Sequence, residues 1–290
     1  MTKAFEFNDV VKTYKDFKLG PLNFSLEPGI VLGYIGPNGS GKTTTMHCLT
    51  GLVRADKGEM KVFGKLNSLH HPEWKLDIGY VGDVHAFYER WTGEKNLTFL
   101  SRFYPSWSKQ RALELARRFQ LPLDKNVRDL SSGNRVKLSL VGALAHSPRL
   151  LILDEPTAGL DPVVRSEVLD VLFEILESGE RAIFYSTHIL SDISRLADEL
   201  VFLHEGQVFQ RTAKDDLLDQ WRKISFRYSG EDMEVETAVS KIREGNDFQV
   251  ISYDFSKTIE QLRKIGAENI KDTRMTIDEI AVQILKNNRE

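Results

Sequence analysis

Residues 35–45 of the chain read IGPNGSGKTTT, and this stretch decides the fold. Within it, Gly36, Gly41, Lys42 and Thr43 match the phosphate-binding pattern G-x-x-x-x-G-K-[ST]. An apolar stretch, IVLGY, comes before the pattern, and a segment with helical spacing comes after it. Because this motif works where a buried strand runs into a helix, the stretch predicts a loop that binds a nucleotide.

Each residue type in this loop has a physical role. Glycine has no Cβ, so backbone N–H groups can approach phosphate oxygens closely. We expect Lys42 to neutralise the β- and γ-phosphates and the Thr43 hydroxyl to hold Mg²⁺. The following helix N-terminus adds about 0.3–1 kcal/mol of attraction toward an anion at exposed sites. The predicted nucleotide-binding residues are Gly36, Asn38, Gly39, Ser40, Gly41, Lys42, Thr43 and Thr44.

A second motif limits which kinds of nucleotide-binding enzyme the chain could be. Residues 149–156 read RLLILDEP, which predicts a short buried strand that ends in two acidic residues. Asp154 is the carboxylate expected on the Mg²⁺ side. Glu155 follows directly and is placed to polarise an attacking water as general base, the alternative being a solvated charge at the strand end. The N-K-x-D pattern that reads guanine is missing from the sequence, which argues against a GTPase.

Composition limits the classes of partner and compartment. The 290 residues are 41% hydrophobic, enough for a large domain with a smaller one. A formal net charge of −3 gives no general attraction to nucleic acid, so no nucleic-acid partner is expected. Cys48 is the single cysteine, which fits a reducing compartment. Since neither a signal peptide nor an apolar run of about 18 residues is found, we expect a cytosolic chain that reaches a membrane only through a partner.

Strand and helix signals alternate along most of the chain. Short strands are predicted within 4–35, at 149–156 and at 181–188, and helices at about 162–178 and 190–198. This alternation favours a mostly parallel sheet.

Two further segments differ from this pattern. Helical faces over 94–120, one with Leu97 and Leu100 and one with Ala112 and Ala116, predict a helical insert. From about residue 212 the pattern changes to that of a small α+β domain. We therefore expect one domain over 1–211 and an accessory domain over 212–290, for which no motif suggests a role.

The motifs together resemble an ABC-transporter ATPase subunit over about 4–210. After the Walker A loop come LSSGN at 130–134, LLILDEP, AGLDP at 158–162 and STH at 186–188. The resemblance implies an α/β fold: a P-loop NTPase domain of the ABC type, with a RecA-like mixed sheet, an antiparallel β subdomain and a helical subdomain at about 84–148. In this family two subunits dimerise head to tail and enclose ATP between the Walker A loop of one and the signature loop of the other.

The resemblance also implies roles for residues outside the first two motifs. Tyr14 resembles the aromatic residue that stacks on adenine, although ordinary strand packing is the alternative. Ser131 and Gly133 resemble the signature residues that contact the γ-phosphate across the dimer. His188 resembles the switch histidine that grips the γ-phosphate and orients the water. Asp161 resembles the residue that links the two sites across the interface.

The chain departs from the family pattern at two places. Asp83 stands at the Q-loop position, where the family usually has Gln. An aspartate can reach Mg²⁺ directly or through water, so we expect turnover to depend unusually strongly on Mg²⁺. In the signature loop, Ser132 replaces a glycine and Asn134 a common glutamine. The Cβ of Ser132 beside bound phosphate is expected to weaken the closure of the dimer around ATP. The sequence therefore supports ATP binding more strongly than it supports fast hydrolysis.

Aromatic residues near 83–107 indicate how the ATPase could meet a membrane partner. We expect about half of them to fill the helical subdomain and the rest to line an apolar cleft for a docking helix. In ABC transporters this cleft receives the permease. The sequences of several segments most resemble those of ATPases that serve ABC-2-type permeases, which export peptide- or drug-like substrates. This resemblance implies a peripheral position on the cytoplasmic face of the membrane. The aromatic residues are Phe87, Tyr88, Trp91, Phe99, Phe103, Tyr104 and Trp107.

Alternatives from other functional classes remain open. Ribosome-associated ABC proteins generally carry two cassettes, whereas this chain has one Walker A motif, and DNA-repair members carry an insertion far longer than 94–120. A weakly active regulatory subunit is a further alternative, favoured by Asp83 and Ser132 and opposed by Glu155 and His188. The motifs do not decide between a homodimer and a heterodimer.

Overall fold

The computed structural model divides the chain into two compact units, Met1–Arg211 and Thr212–Glu290. The residues that the structure describes are 2–68, 70–82, 87–177, 181–230 and 233–287. No helix among them is both long enough and apolar enough to cross a bilayer.

The first unit opens with an antiparallel sheet in the order β2-β1-β4-β5. The strands are β1 (Phe5–Thr13), β2 (Lys18–Leu26), β4 (Lys57–Val62) and β5 (Lys65–Leu66). This sheet corresponds to the antiparallel β subdomain that the family resemblance implies.

Alternation along β2 decides which face of this sheet is buried. Leu22, Phe24 and Leu26 point inward, while Asn23 is exposed and Ser25 half-buried, as the period of two predicts. The predicted half-buried strand is therefore confirmed.

A second, six-stranded sheet has the order β10-β9-β3-β8-β7-β6. Its pairs β6–β7, β7–β8, β8–β3 and β3–β9 are all parallel, which confirms the predicted mostly parallel sheet. Every residue of β3, β7 and β8 is buried, as expected for parallel strands covered on both faces. The strands are β3 (Val31–Ile35), β6 (Ile78–Val81), β7 (Leu150–Asp154), β8 (Ala182–Thr187), β9 (Glu199–His204) and β10 (Gln207–Ala213).

Aromatic side chains join the two sheets. Phe5 of β1 packs 5.0 Å, between ring centroids, from Phe184 of β8, and Tyr34 of β3 packs 5.1 Å from the same ring. Phe24 of β2 stacks on Tyr34 at 5.8 Å. Buried aromatic groups contribute large apolar areas to a core, so this cluster holds the central strands in place. The phosphate-binding loop begins where one of these strands, β3, ends.

Three helices follow strands of the parallel sheet. They are α1 (Lys42–Leu49), after β3, α5 (Pro162–Glu177), after β7, and α6 (Leu190–Leu196), after β8. Gly51, with φ of +69°, follows the end of α1 as the predicted C-terminal cap.

The helical insert predicted over 94–120 is present as α2 (Gly93–Leu100) and α3 (Lys109–Arg118), and α4 (Ser132–Leu144) follows within the helical subdomain expected at about 84–148. Side chains of Thr92, Ser108 and Ser131 cap their N-termini, each accepting a hydrogen bond from a backbone N–H. The buried positions of α3 are Ala112 and Ala116, in agreement with the predicted face.

The second unit combines an antiparallel sheet of order β12-β13-β11-β14 with helices. Its core includes Ile224 and Phe226 of β11, Phe248 and Val250 of β13, and Leu262 of α8. This is the expected α+β pattern. The elements are α7 (Lys214–Gln220), β11 (Arg222–Arg227), β12 (Ala238–Glu244), β13 (Asp247–Ser252), α8 (Phe255–Lys264), β14 (Glu268–Arg274) and α9 (Ile277–Asn287).

Candidate nucleotide site

The phosphate-binding loop connects β3 to α1, and two of its glycines are required by close contacts. Gly41 has φ of +108°, and a Cβ there would lie 2.8 Å from Leu19 Cδ1 and 2.9 Å from Phe17 Cζ. A Cβ on Gly36 would lie 2.4 Å from the carbonyl oxygen of Leu203. A larger residue at either position would have to displace these neighbours or the loop backbone.

Lys42 is already directed into the loop. Its side chain is buried, and Nζ donates hydrogen bonds to the carbonyl oxygens of Gly36 at 2.8 Å and Pro37 at 3.2 Å. Nζ also lies 3.3 Å from Glu155 Oε1. A buried ammonium needs such partners, and phosphate oxygens are groups that can take over their role.

A cavity of about 460 Å³ brings the predicted loop residues together with the second motif. Glu155 and His188, which come from distant parts of the chain, line the same cavity as Lys42. Its lining residues are Phe17, Asn38, Gly39, Gly41, Lys42, Thr43, Thr44, Glu155, Ala158 and His188. Gly36 and Ser40 belong to the same loop but do not line this cavity.

Asp154 ends β7, and its two carboxylate oxygens differ in their hydrogen bonding. Ser186 donates its hydroxyl to Oδ1 at 2.5 Å. Oδ2 is buried and has no hydrogen-bond partner within the described part of the chain. A buried, unpaired carboxylate oxygen is costly by itself and is suited to a cation or to a water bound to one.

Glu155 is held in an unusual backbone conformation. Its φ is +51°, in the left-handed region that non-glycine residues seldom adopt. Its N–H donates to the carbonyl oxygen of Ser186 at 3.1 Å, and its Oε2 accepts the backbone N–H of His188 at 3.2 Å. Such conformations cost on the order of 1–3 kcal/mol and persist where the surrounding structure enforces them, often at active sites.

His188 follows β8 and contacts the same carboxylate. Its Nδ1 lies 2.7 Å from Glu155 Oε2, and its side chain is half exposed to the cavity side. Glu155 therefore lies between Lys42 and His188, one on each carboxylate oxygen.

The signature loop lies apart from this cavity. Ser131 is the N-cap of α4, and its Oγ accepts the N–H of Asn134 at 3.2 Å. Gly133 is buried, and a Cβ there would lie 2.9 Å from Val164 Cγ1, so this position also favours glycine. Among the described residues, neither Ser131 nor Gly133 lines the nucleotide cavity.

Asp161 stands just before α5. Its Oδ1 accepts the N–H groups of Val163 at 3.0 Å and Val164 at 3.1 Å. Asp161 also lies outside the lining of the nucleotide cavity in the described structure. Ser131, Gly133 and Asp161, which are assigned to the partner-facing side, thus do not share a cavity with the residues assigned to phosphate.

The aromatic residue beside the loop is not the one singled out from the sequence. Tyr14 is exposed, and Lys12 Nζ lies 5.6 Å from the centre of its ring. Phe17, three residues further on in the same stretch KTYKDFKLG, lines the cavity instead. The assignment of Tyr14 to adenine stays a prediction. Asp83 lies outside the described residues, and its assignment also stays a prediction.

The expectation that about half of the aromatic residues at 87–107 fill the helical core is wrong. All seven are described, and none is buried. The buried positions of α2 and α3 are small, polar or aliphatic residues such as Leu97 and Ala112, and the buried ring that follows α3 is Phe119. Tyr88 and Phe103 are the exposed members.

These rings pack mainly on one another. Centroids of Tyr88 and Trp91 are 4.3 Å apart, and those of Phe99 and Phe103 are 5.2 Å apart. Beside them lies a second cavity of about 630 Å³, whose lining includes Leu100, Tyr104 and Phe87.

Comparisons with known proteins agree with the site geometry. The ABC transporter family model matches residues 19–158. The chain is 32% identical to the ABC transporter ATP-binding protein YtrB of Bacillus subtilis, over 82% of this chain and 78% of that protein. It is 32% identical to the bacitracin transport ATP-binding protein BcrA of Bacillus licheniformis, over 81% of this chain and 78% of that protein. It is 31% identical to the Nod factor export ATP-binding protein I of Rhizobium etli, over 81% of this chain and 77% of that protein.

Solved structures show the same fold. An ATP-binding subunit of an ABC transporter superposes with a TM-score of 0.68 at 29% identity, over 74% of this chain and 92% of that chain. A dimeric ATP-binding cassette bound to ADP and phosphate superposes with a TM-score of 0.66 at 24% identity, over 72% of this chain and 98% of that chain. The predicted cassette fold and ATPase function are confirmed. Since relatives at 32% identity match over most of their length, this chain belongs to the ATP-binding subunits of ABC transporters.

Proposed function

We propose that two ATPase subunits, of which this chain is one, enclose MgATP, hydrolyse it and thereby drive a separate membrane permease, which we assign to export. The observation that carries this proposal is the position of Glu155, with Lys42 on one carboxylate oxygen and His188 on the other, in one cavity with the phosphate-binding loop.

Glu155 is the general base of this mechanism. Its Oε2 and the His188 ring define the place where an attacking water would be oriented. Lys42 supplies positive charge where negative charge develops on the transferred phosphoryl group. Because phosphoryl transfer needs little covalent help, these positioned charges provide most of the catalysis.

Thr43 and Asp154 are the described residues suited to hold Mg²⁺. The unpaired Oδ2 of Asp154 supports this assignment, and Thr43 follows the loop lysine as the motif requires. When bound, Mg²⁺ neutralises charge on the β- and γ-phosphates. Asp83 is proposed as a third ligand, so Asp83→Gln should change the Mg²⁺ dependence of turnover; an unchanged dependence would remove Asp83 from the set.

A second subunit completes the site. Ser131, Gly133 and Asp161 lie away from the cavity formed by their own chain, which supports a role opposite the nucleotide of a partner. The N-terminus of α4, capped by Ser131, offers partial positive charge to a phosphate of that partner.

The permease is proposed to dock at the cavity of about 630 Å³. Leu52, Trp74 and Leu100 give this cavity apolar walls suited to an amphipathic helix. Thr43 and Asp154 border the same cavity, so a helix seated there would lie close to the proposed metal side of the nucleotide site. The chain would then be peripheral on the cytoplasmic face of the membrane.

Relatives support the finer assignment of the permease. Their names refer to bacitracin transport and Nod factor export, which favours an exporter, while the ABC-2 type of the permease and its peptide- or drug-like substrates are proposed from the resemblance of several segments. Purifying the tagged chain from solubilised membranes and identifying the proteins that accompany it tests this assignment. A permease with several membrane spans is expected. Recovery with ribosomes and without a membrane protein would contradict the proposal.

A further inference from the structure

Asp192 carries a fully buried carboxylate in the first turn of α6, outside the lining of the nucleotide cavity. Its Oδ2 accepts hydrogen bonds from Thr157 Oγ1 at 2.5 Å and from the Tyr185 hydroxyl at 3.1 Å. Its Oδ1 accepts Arg165 Nε at 2.7 Å. A buried carboxylate is tolerated only when it is paired and hydrogen-bonded, so these three donors and Asp192 depend on one another.

The donors of Oδ2 are adjacent to the groups that hold the general base. Thr157 follows Glu155 by two positions, and the N–H of Ala158 donates to the carbonyl oxygen of Glu155 at 3.1 Å. Tyr185 directly precedes Ser186, which contacts both Asp154 and the Glu155 backbone.

The Tyr185 hydroxyl contacts Thr157 Oγ1 at 3.2 Å as well as Asp192. Burial raises the pKa of Tyr185 well above its ordinary value, so the phenol keeps its proton at working pH. Its hydroxyl therefore anchors the end of β8 to Asp192 throughout the range in which an ATPase is assayed.

Arg165 connects the same carboxylate to the segment that faces the partner. Its backbone N–H donates to the carbonyl oxygen of Asp161 at 2.9 Å, and its guanidinium donates to Ser191 Oγ as well as to Asp192. Asp192 thus joins the Glu155 segment, the Asp161 segment and the helix that begins after His188.

Asp192 cannot act by touching the nucleotide. Its exposed fraction is 0%, and neither Asp192 nor Thr157 lines the nucleotide cavity in the described structure. Any effect on turnover must pass through the groups that it holds. The left-handed φ of Glu155 is the kind of conformation that needs such a constraint.

We propose that Asp192 is a positioning residue for ATP hydrolysis, which sets the geometry of Glu155 and His188 and ties it to the Asp161 segment. This inference rests on the proposed function. Removing the Asp192 charge leaves the Arg165 guanidinium without its buried partner, so the segments that carry Glu155 and His188 lose their common anchor.

Four variants of the full chain test this role, with the turnover number and the ATP dissociation constant measured for each. Asp192→Asn and Thr157→Val should lower turnover by about tenfold or more and change ATP affinity by less than about threefold. Thr157→Ser restores the hydroxyl and should recover turnover to within about threefold of the parent chain. Asp170→Asn removes an exposed partner of Arg195 between the same two helices and serves as the matched control.

A double variant separates positioning from general structural damage. If Asp192 acts through Glu155, adding Asp192→Asn to Glu155→Gln should cause no further loss of turnover. Full turnover in Asp192→Asn and Thr157→Val, or equal losses of affinity and turnover, would overturn the positioning role and leave the proposed function standing. A parent chain without ATPase activity would overturn both.

Discussion

Glu155 is the residue on which the chemistry depends most. Glu155→Gln keeps the size of the side chain but removes the charge that accepts a proton from water. We expect ATP binding to be retained and turnover to fall by about 10²–10⁴-fold. Phosphate release and equilibrium ATP binding measure the two effects. Glu59→Gln, at an exposed position of β4, is the control, and near-normal turnover in Glu155→Gln would remove Glu155 from its role.

His146 gives a prediction about stability and pH. Burial lowers the pKa of its imidazole below the ordinary value of 6.5, and Nε2 lies 3.0 Å from the carbonyl oxygen of Ile78. Because the folded state disfavours the protonated ring, the stability contribution is present above the ordinary value and is lost as pH falls through the lowered pKa.

Melting temperatures at about pH 7.5 and about pH 5.5 test this effect. The parent chain should lose more stability on acidification than His146→Gln, which has no group that titrates in this window. Equal losses in the two proteins would show that His146 is not responsible.

Individual site residues were predictable where a motif fixes their spacing. Lys42, the first residue of α1, and Glu155, directly after β7, are examples, since an apolar run precedes the motif of each. Phe17 and Asp192 were missed because their roles depend on which segments meet in three dimensions, and no local pattern encodes that meeting. The burial of the aromatic residues near Tyr88 was also not predictable, because hydrophobic character alone does not distinguish a ring in the core from a ring at the surface.

Helices α4 and α5 are joined by an ion pair whose energy can be measured. Lys137 Nζ of α4 is buried and lies 2.5 Å from Glu167 Oε2 of α5. Glu167→Gln leaves a buried ammonium without its anion. We expect a loss of about 1–2 kcal/mol of unfolding free energy, less than for a fully buried pair because the Glu167 side chain is 46% exposed.

A nearby pair between α3 and α5 is the matched control. Arg118 and Glu174 contact each other, but both side chains are exposed. Glu174→Gln should therefore cost less than about 1 kcal/mol. Denaturant unfolding of both variants decides the comparison, and an equal or larger cost for Glu174→Gln would contradict it.

Strands of the buried sheet were easier to foresee than those of the second unit. The runs at β3, β7 and β8 are continuous and apolar, which short buried strands require. Strands β12 and β14 lie at sheet edges, and most of their residues are exposed. Without alternation of buried and exposed positions, little in such segments marks a strand.

The docking cavity leads to a prediction for the assembled transporter. Leu52 lines it and is 61% exposed, so Leu52→Glu should leave the fold and ATP affinity intact. A charge there should reduce co-purification with the permease by about tenfold or more, since apolar burial drives such contacts. Leu66→Glu, 49% exposed on β5 and outside the cavity, is the control. Equal retention of the permease by both variants would place the docking surface elsewhere.

In its homodimeric form, the account requires that ATP join two copies of this chain, with Lys42 of one and Ser131 of the other on the same nucleotide. The most direct measurement is the solution mass of Glu155→Gln, which should bind ATP without consuming it. With MgATP the mass should rise from that of one chain, 33.1 kDa, to twice that value, and Lys42→Ala should abolish the rise. A mass that stays at one chain under saturating MgATP would contradict the account.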